Sequence, residues 1–212
     1  MVRGIYVITD EGLVPGRTHV DIARAALRGG ASVIQLRDKY ASDEHLIQIG
    51  LEIRRLTSEA GALFIVNDRL EAALACDADG LHVGPEDRPA CELRPLLPGK
   101  LLGVSAPTPE QAVSARADGA DYLGVGPIFA TTTKGNARPP VGVGRIRIIQ
   151  SASGGLPIVA IGGINESNIT EVAKSHADAA AVISAVVCAE DMVESARRLV
   201  QIWERSRLTA DC

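Results

Sequence analysis

The chain has no paired cysteines, no long apolar run and no excess of one charge, and each absence excludes a class of protein. Cys76, Cys91, Cys188 and Cys212 form no C-x-x-C pair and show no ligand spacing with histidine, so neither a disulfide framework nor a zinc motif is expected. They read as four free thiols in a reducing cytosol. No apolar run approaches the roughly 20 residues that span a bilayer. A net charge of −4 with both signs interspersed argues against nucleic acid or an anionic membrane as partner. There is no G-x-S-x-G, no P-loop and no dinucleotide fingerprint. No linker, charge block or low-complexity segment divides the chain. Met1–Asp10 leads straight into a strand pattern, so no signal peptide is expected and a cytoplasmic location is.

What remains is an ordinary globular composition, 46% apolar and 23% charged over 212 residues, with a strong pattern laid over it. Short Val/Ile/Leu runs stop in polar or glycine clusters at Tyr6–Asp10, Val33–Lys39, Phe64–Arg69, Leu81–Asp87, Leu102–Ser105, Leu123–Lys134, Ile158–Ile164 and Val182–Ser184. A parallel strand covered on both faces reads as such a run. Between the runs, helices are predicted near His19–Arg28, through the stripe from Leu46 to Leu56, and at Glu71–Cys76, Ala90–Leu97, Pro109–Ala117, Gly144–Ala152, Asn165–His176 and Ala189–Arg207. Leu46, Ile49, Ile53 and Leu56 make a stripe that packs on a sheet. Ser42 suits an N-cap and Gly29-Gly30 a stop signal. Eight such units predict an α/β fold, a single (β/α)8 TIM barrel spanning residues 1–212, rather than a horseshoe, whose repeats would share a consensus. The carboxyl ends of the strands then converge on one active-site face. The long Ala130–Val143 connection would lie over its mouth.

Chemistry-bearing residues collect at those run ends. Gln35, Arg37 and Lys39 alternate, so their side chains share one side. An amide, a guanidinium fork and an ammonium there suit a polyanion or the edge of a heterocycle. Asn67-Asp68 and Asp87 end adjacent strands, and two carboxylates with substrate oxygens and water complete a Mg²⁺ site. Thr131, Thr133 and Lys134 bring hydroxyls and a cation on the long loop. Gly162-Gly163, with Asn165 as the expected N-cap of the next helix, and Ser184 fit the phosphate site that recurs at the last two strand ends of this fold. None of His19, His45, His82 and His176 reads as a metal ligand or triad member, and His82 reads as a satisfied interior histidine. These residues alone imply two anion sites on one face, one Mg²⁺-assisted and one for a monophosphate.

The ordered set YVITD, QLRDK, VNDR, DGLHVGPED, GVS, DYLGVGPIFATTTK, IVAIGGI and VISA resembles thiamine-phosphate synthase, from about Tyr6 to Ser184. The resemblance implies a pyrophosphate-releasing transferase that joins 4-amino-5-hydroxymethyl-2-methylpyrimidine diphosphate to a thiazole phosphate. It implies that Gln35, Arg37, Lys39, Asn67, Ser105 and Lys134 serve the pyrimidine diphosphate, with Arg37, Lys39, Ser105 and Lys134 in catalytic roles. Asp68 and Asp87 would hold Mg²⁺, and Thr131, Thr133, Gly163, Ile183 and Ser184 would meet the thiazole phosphate. Two positions depart from the family pattern: Pro107 stands where a histidine is usual, and Pro85 where glutamine is common. The first argues against the thiazole tautomerase relatives, which use that histidine for proton transfer. A sensor of thiazole or thiamine phosphates would need no metal-diphosphate site. The partners expected are small molecules, and a homo-oligomer stays open because outer barrel helices look alike solvated or paired.

Overall fold

The computed structural model describes residues 1–131, 133 and 139–208. Among these, eight parallel strands close into a barrel in sequence order, with β1 paired to both β2 and β8. The strands are β1 (Gly4–Ile8), β2 (Val33–Leu36), β3 (Leu63–Asn67), β4 (Gly80–Val83), β5 (Leu101–Ser105), β6 (Tyr122–Val125), β7 (Ile158–Ile161) and β8 (Ala179–Val182). Helices follow as α1 (His19–Arg28), α2 (Asp43–Ala60), α3 (Leu70–Ala75), α4 (Ala90–Leu93), α5 (Pro109–Ala117), α6 (Gly144–Ala152), α7 (Ile169–Ala173), α8 (Ser184–Val187) and α9 (Met192–Leu208). The (β/α)8 expectation holds.

Alternation along each strand divides the core in two. Ile5, Val7, Ile34 and Leu81 are buried between sheet and helices, on the faces that the pleat turns outward. Tyr6, Gln35, His82, Ser105 and Gly124 turn inward and reach the internal cavity. Gly103 and Gly124 make room for large neighbours inside: a Cβ on Gly103 would overlap the Tyr122 and His82 side chains, and one on Gly124 would crowd the His82 ring.

At the amino end of the barrel three aspartates repeat one device. Asp79, Asp121 and Asp178 stand just before β4, β6 and β8. Each carboxylate accepts an N–H at the start of the preceding strand: Phe64 at 2.7 Å, Leu102 at 2.7 Å and Ile158 at 2.8 Å. Each aspartate N–H returns a bond to the carbonyl of that same residue. Arg54 and Arg94 also donate to Asp79 and Asp121, at 2.7 and 2.8 Å. The starts of β3 and β4, of β5 and β6, and of β7 and β8 are thereby tied in pairs, and the N–H groups involved are satisfied.

Element ends depart from expectation where side chains compete with the backbone. Ser42 caps α2 as expected, accepting from His45 N–H at 3.3 Å. Asn165 does not cap α7. Its Oδ1 accepts from Ser167 N–H at 2.9 Å, an Asx turn that delays the helix to Ile169. That helix also stops at Ala173, short of His176, which adopts φ +68°. The helix expected at Ala90–Leu97 turns 3-10 at Arg94–Leu96, where Pro95 supplies no N–H. Short helix α8 was not expected, and the final helix starts at Met192 rather than Ala189.

Candidate active site

A cavity of about 870 Å³ opens at the carboxyl end of the barrel. It gathers Gln35, Arg37, Lys39, Asn67, Asp68, Asp87, Ser105, Thr131, Thr133, Gly163, Ile183 and Ser184, all of which the run ends or the resemblance had singled out. Lys134 lies outside the described residues. Pro85 and Pro107 both line the same cavity.

One side of the mouth carries charge. Arg37 Nη1 donates to Asp10 Oδ2 at 3.3 Å, which holds the guanidinium at the rim of β2. Asp68 follows β3 at φ +64°, a left-handed conformation that Asp tolerates better than most residues. There its carboxyl meets that of Asp87. Burial, then the hydrogen bond and charge of Asp87, push Asp68 far above the usual carboxylate range, while Lys39 and Arg37 pull it back. Burial opposes the ionisation of Asp87 too. The Asp68 hydrogen bond, the Gly84 N–H at 2.7 Å, Lys39 and His82 outweigh it and hold Asp87 below the usual range. Two facing carboxylates that compete for one proton, with a backbone donor orienting one of them, fit a divalent cation. Among the described residues no cluster of three or more His, Cys, Asp or Glu side chains forms a metal site; this pair would supply two ligands to such an ion.

The other side carries hydroxyls and glycine. Thr131 Oγ1 donates to Thr133 Oγ1 at 3.3 Å, and Thr133 Oγ1 donates to Ser184 Oγ at 3.5 Å. Gly162 and Gly163 turn the chain after β7 at φ +104° and +65°. A Cβ on Gly163 would run into Ala130 and Phe129, so only glycine lets the long connection pack against this strand end. Asn168 Nδ2 holds the Gly163 carbonyl at 2.9 Å. The result is a small neutral donor cluster beside the start of α8, suited to one phosphate group.

Two histidines reach the mouth. His19 and His82 both line the cavity. His19 is buried at 1% exposure, with Nδ1 2.7 Å from Thr9 Oγ1 and Nε2 3.5 Å from Asp38 Oδ2. Asp38 also accepts the N–H groups of Tyr40 and Ala41 at 2.8 and 3.1 Å, which shapes the segment bearing Lys39. His82 is hydrogen-bonded at both ring nitrogens, as an interior histidine should be. One partner, however, is the Ser105 hydroxyl at 3.0 Å. The position of His19 at the first residue of α1, in the connection that leaves β1 at its carboxyl end, was the available signal for its nearness to the mouth.

The chain is similar to known proteins over most of its length. The family model for thiamine monophosphate synthase matches residues 5–186. A thiamine-phosphate synthase of Chloroflexus aurantiacus is 52% identical over 195 residues, covering 92% of this chain and 90% of the relative. One from Moorella thermoacetica is 51% identical over 204 residues, 96% of this chain and 97% of the relative. The solved thiamine phosphate pyrophosphorylase of Pyrococcus furiosus superposes with a TM-score of 0.87 at 43% identity, covering 96% of each chain.

Proposed function

The chain belongs to the thiamine monophosphate synthase family, a family of transferases in thiamine biosynthesis, and on that premise we propose that it condenses 4-amino-5-hydroxymethyl-2-methylpyrimidine diphosphate with a thiazole phosphate, plain or carboxylated. The products are thiamine phosphate and pyrophosphate, with carbon dioxide lost afterwards from a carboxylated thiazole. The observation that carries this reading is the facing Asp68 and Asp87 pair beside Lys39 and Arg37 in one cavity. Mixed charge of that kind suits a metal-bound diphosphate, in which cations and metal share the oxygens.

Arg37 and Lys39 hold the diphosphate, and Asn67 lies beside it. Asp68 and Asp87 would hold Mg²⁺, which when bound neutralises charge on the leaving group. The carbon–oxygen bond breaks with its electron pair on pyrophosphate, leaving a methylene cation stabilised by the aminopyrimidine. Gln35 and Ser105 orient that ring. The thiazole nitrogen then donates its lone pair to the methylene carbon. Thr131, Thr133, Gly163, Ile183 and Ser184 hold the thiazole phosphate at the opposite side, so the nucleophile and leaving group approach from different strand ends. Lys134 is assigned to the departing pyrophosphate. The barrier is lowered mainly by electrostatic stabilisation of the leaving group, which needs charge more than acid–base residues.

The test is a reaction of the protein with both substrates, analysed for thiamine phosphate. Equal yields of thiamine phosphate and pyrophosphate support the proposal. Binding of both substrates without either product would favour a sensor instead.

A further inference from the structure

Below the charged mouth, a chain of hydrogen bonds crosses the barrel. Gln35 Nε2 donates to Tyr6 Oη at 2.7 Å. Tyr6 Oη lies 3.1 Å from Tyr122 Oη, which lies 3.2 Å from His82 Nδ1. His82 Nε2 is 3.0 Å from Ser105 Oγ. The two ends, on β2 and β5, are residues assigned above to the pyrimidine. The three links between them are not. We propose that Tyr6, Tyr122 and His82 are positioning residues whose hydrogen-bond chain presents Gln35 to the pocket as an acceptor and Ser105 as a donor, and so selects an aminopyrimidine over its oxo counterpart.

Each phenol carries a single proton, and both tyrosines are 1% exposed. Burial pushes both phenols above their ordinary range, so they stay neutral and keep that proton. Tyr6 accepts from Gln35, so its proton goes to Tyr122. Tyr122 then donates to His82 Nδ1. The imidazole proton sits on Nε2 and is given to Ser105, whose own proton is left for the cavity. At the other end, with Nε2 turned inward, the amide oxygen of Gln35 is left for the cavity. The opposite setting also satisfies every buried proton, but it requires all five groups to reverse together, with the amide oxygen inward. An intermediate setting leaves a buried polar group unpaired, at a cost of about 1–3 kcal/mol. The chain therefore has two concerted states, and the structure holds the one with Nε2 inward.

An aminopyrimidine offers an amino donor and ring-nitrogen acceptors, the complement of an amide oxygen and a hydroxyl donor. An oxo analogue places an acceptor against the amide oxygen. A rigid mismatch is how a polar site rejects a near-isostere. The inference rests on reading this cavity as the pyrimidine diphosphate site.

The test compares kcat/KM for the 4-amino substrate and its 4-oxo analogue in wild-type protein and in Tyr122→Phe. Wild type should prefer the amino compound by on the order of 10²-fold or more, as expected where a mismatch strands buried polar groups. In Tyr122→Phe the Tyr6 proton is free to turn to Gln35, the amide can invert, and the preference should narrow at least tenfold. Equal losses on both substrates, with the preference intact, would reduce Tyr122 to a structural role and overturn the proposal. If Tyr122→Phe fails to fold, Tyr6→Phe cuts the same chain next to Gln35 and is read the same way. Independently, ¹⁵N shifts of the His82 ring in wild-type protein should report the Nε2–H tautomer; the Nδ1–H tautomer would overturn the assignment. Wild-type protein that turns over neither pyrimidine would overturn the proposed function, a result distinct from an unchanged preference in an active variant.

Discussion

Aspartates at the two ends of this barrel do opposite work. At the amino end, Asp79, Asp121 and Asp178 each spend their oxygens on a strand N–H, and two of them on an arginine as well. At the carboxyl end, Asp68 and Asp87 face one another, which with burial raises the proton affinity of Asp68 while Asp87 is held below the usual carboxylate range. The first arrangement commits one oxygen of each carboxylate to the strand start. The second keeps like charges together, which costs stability unless a cation intervenes. The contrast separates polar residues committed to the fold from polar residues left facing the cavity within a single residue type, and the second kind lies at the end where (β/α)8 enzymes carry their chemistry.

The contrast breaks most visibly at the mouth. Asp87→Ala should lower turnover on the order of 10²-fold or more, the scale of losing a charge-stabilising group, while the melting temperature stays within a few degrees. Near-normal turnover at saturating substrate would remove Asp87 from the metal site. Asp121→Ala should do the reverse. Losing its bonds to Leu102 N–H and Arg94 should cost about 2 kcal/mol and lower Tm by about 4–8 °C at this chain length, with kcat unchanged well below the melt. A turnover defect at full folding would dissolve the distinction between the two ends.

Gly163→Ala sharpens the comparison within the mouth itself. The substitution meets a left-handed φ and the Ala130 and Phe129 contacts. It should raise KM for the thiazole phosphate about tenfold, the equivalent of the 1–2 kcal/mol that αL costs a residue with a Cβ, and leave KM for the pyrimidine diphosphate alone. Equal effects on both would merge the two anion sites into one. The smallest effect belongs to neither end. Arg55 pairs with Glu59 on the exposed face of α2, both 60% exposed, and Arg55→Ala should change stability by less than about 0.5 kcal/mol and turnover not at all, as chemical denaturation and a routine rate assay would show.

The charged mouth was legible in the sequence because its residues stop apolar runs. QLRDK, VNDR and GPED interrupt strands with groups that have no business in a core, and parallel order brings those stops to one face. The hydroxyl side was legible for the same reason, at GGI and VIS. The floor was not. Tyr6, His82 and Tyr122 sit within strands, where each passes for one more interior residue, and their connection depends on the lateral register of β1, β2, β4, β5 and β6. No one-dimensional pattern encodes that register. His19 escaped notice because its approach to Asp38 depends on how α1 enters after a loop. The Asx turn that displaced Asn165 from the α7 cap belongs to the same class, since local side-chain competition decides it.

The central claim is that the Asp68–Asp87 pair, with Arg37 and Lys39, forms a metal-dependent diphosphate site. Calorimetric titration of wild-type protein with pyrophosphate, in Mg²⁺ and then in chelator, tests it most directly. The account predicts binding that depends on Mg²⁺ and disappears in Asp87→Ala. Equal affinity in Mg²⁺ and in chelator would contradict it.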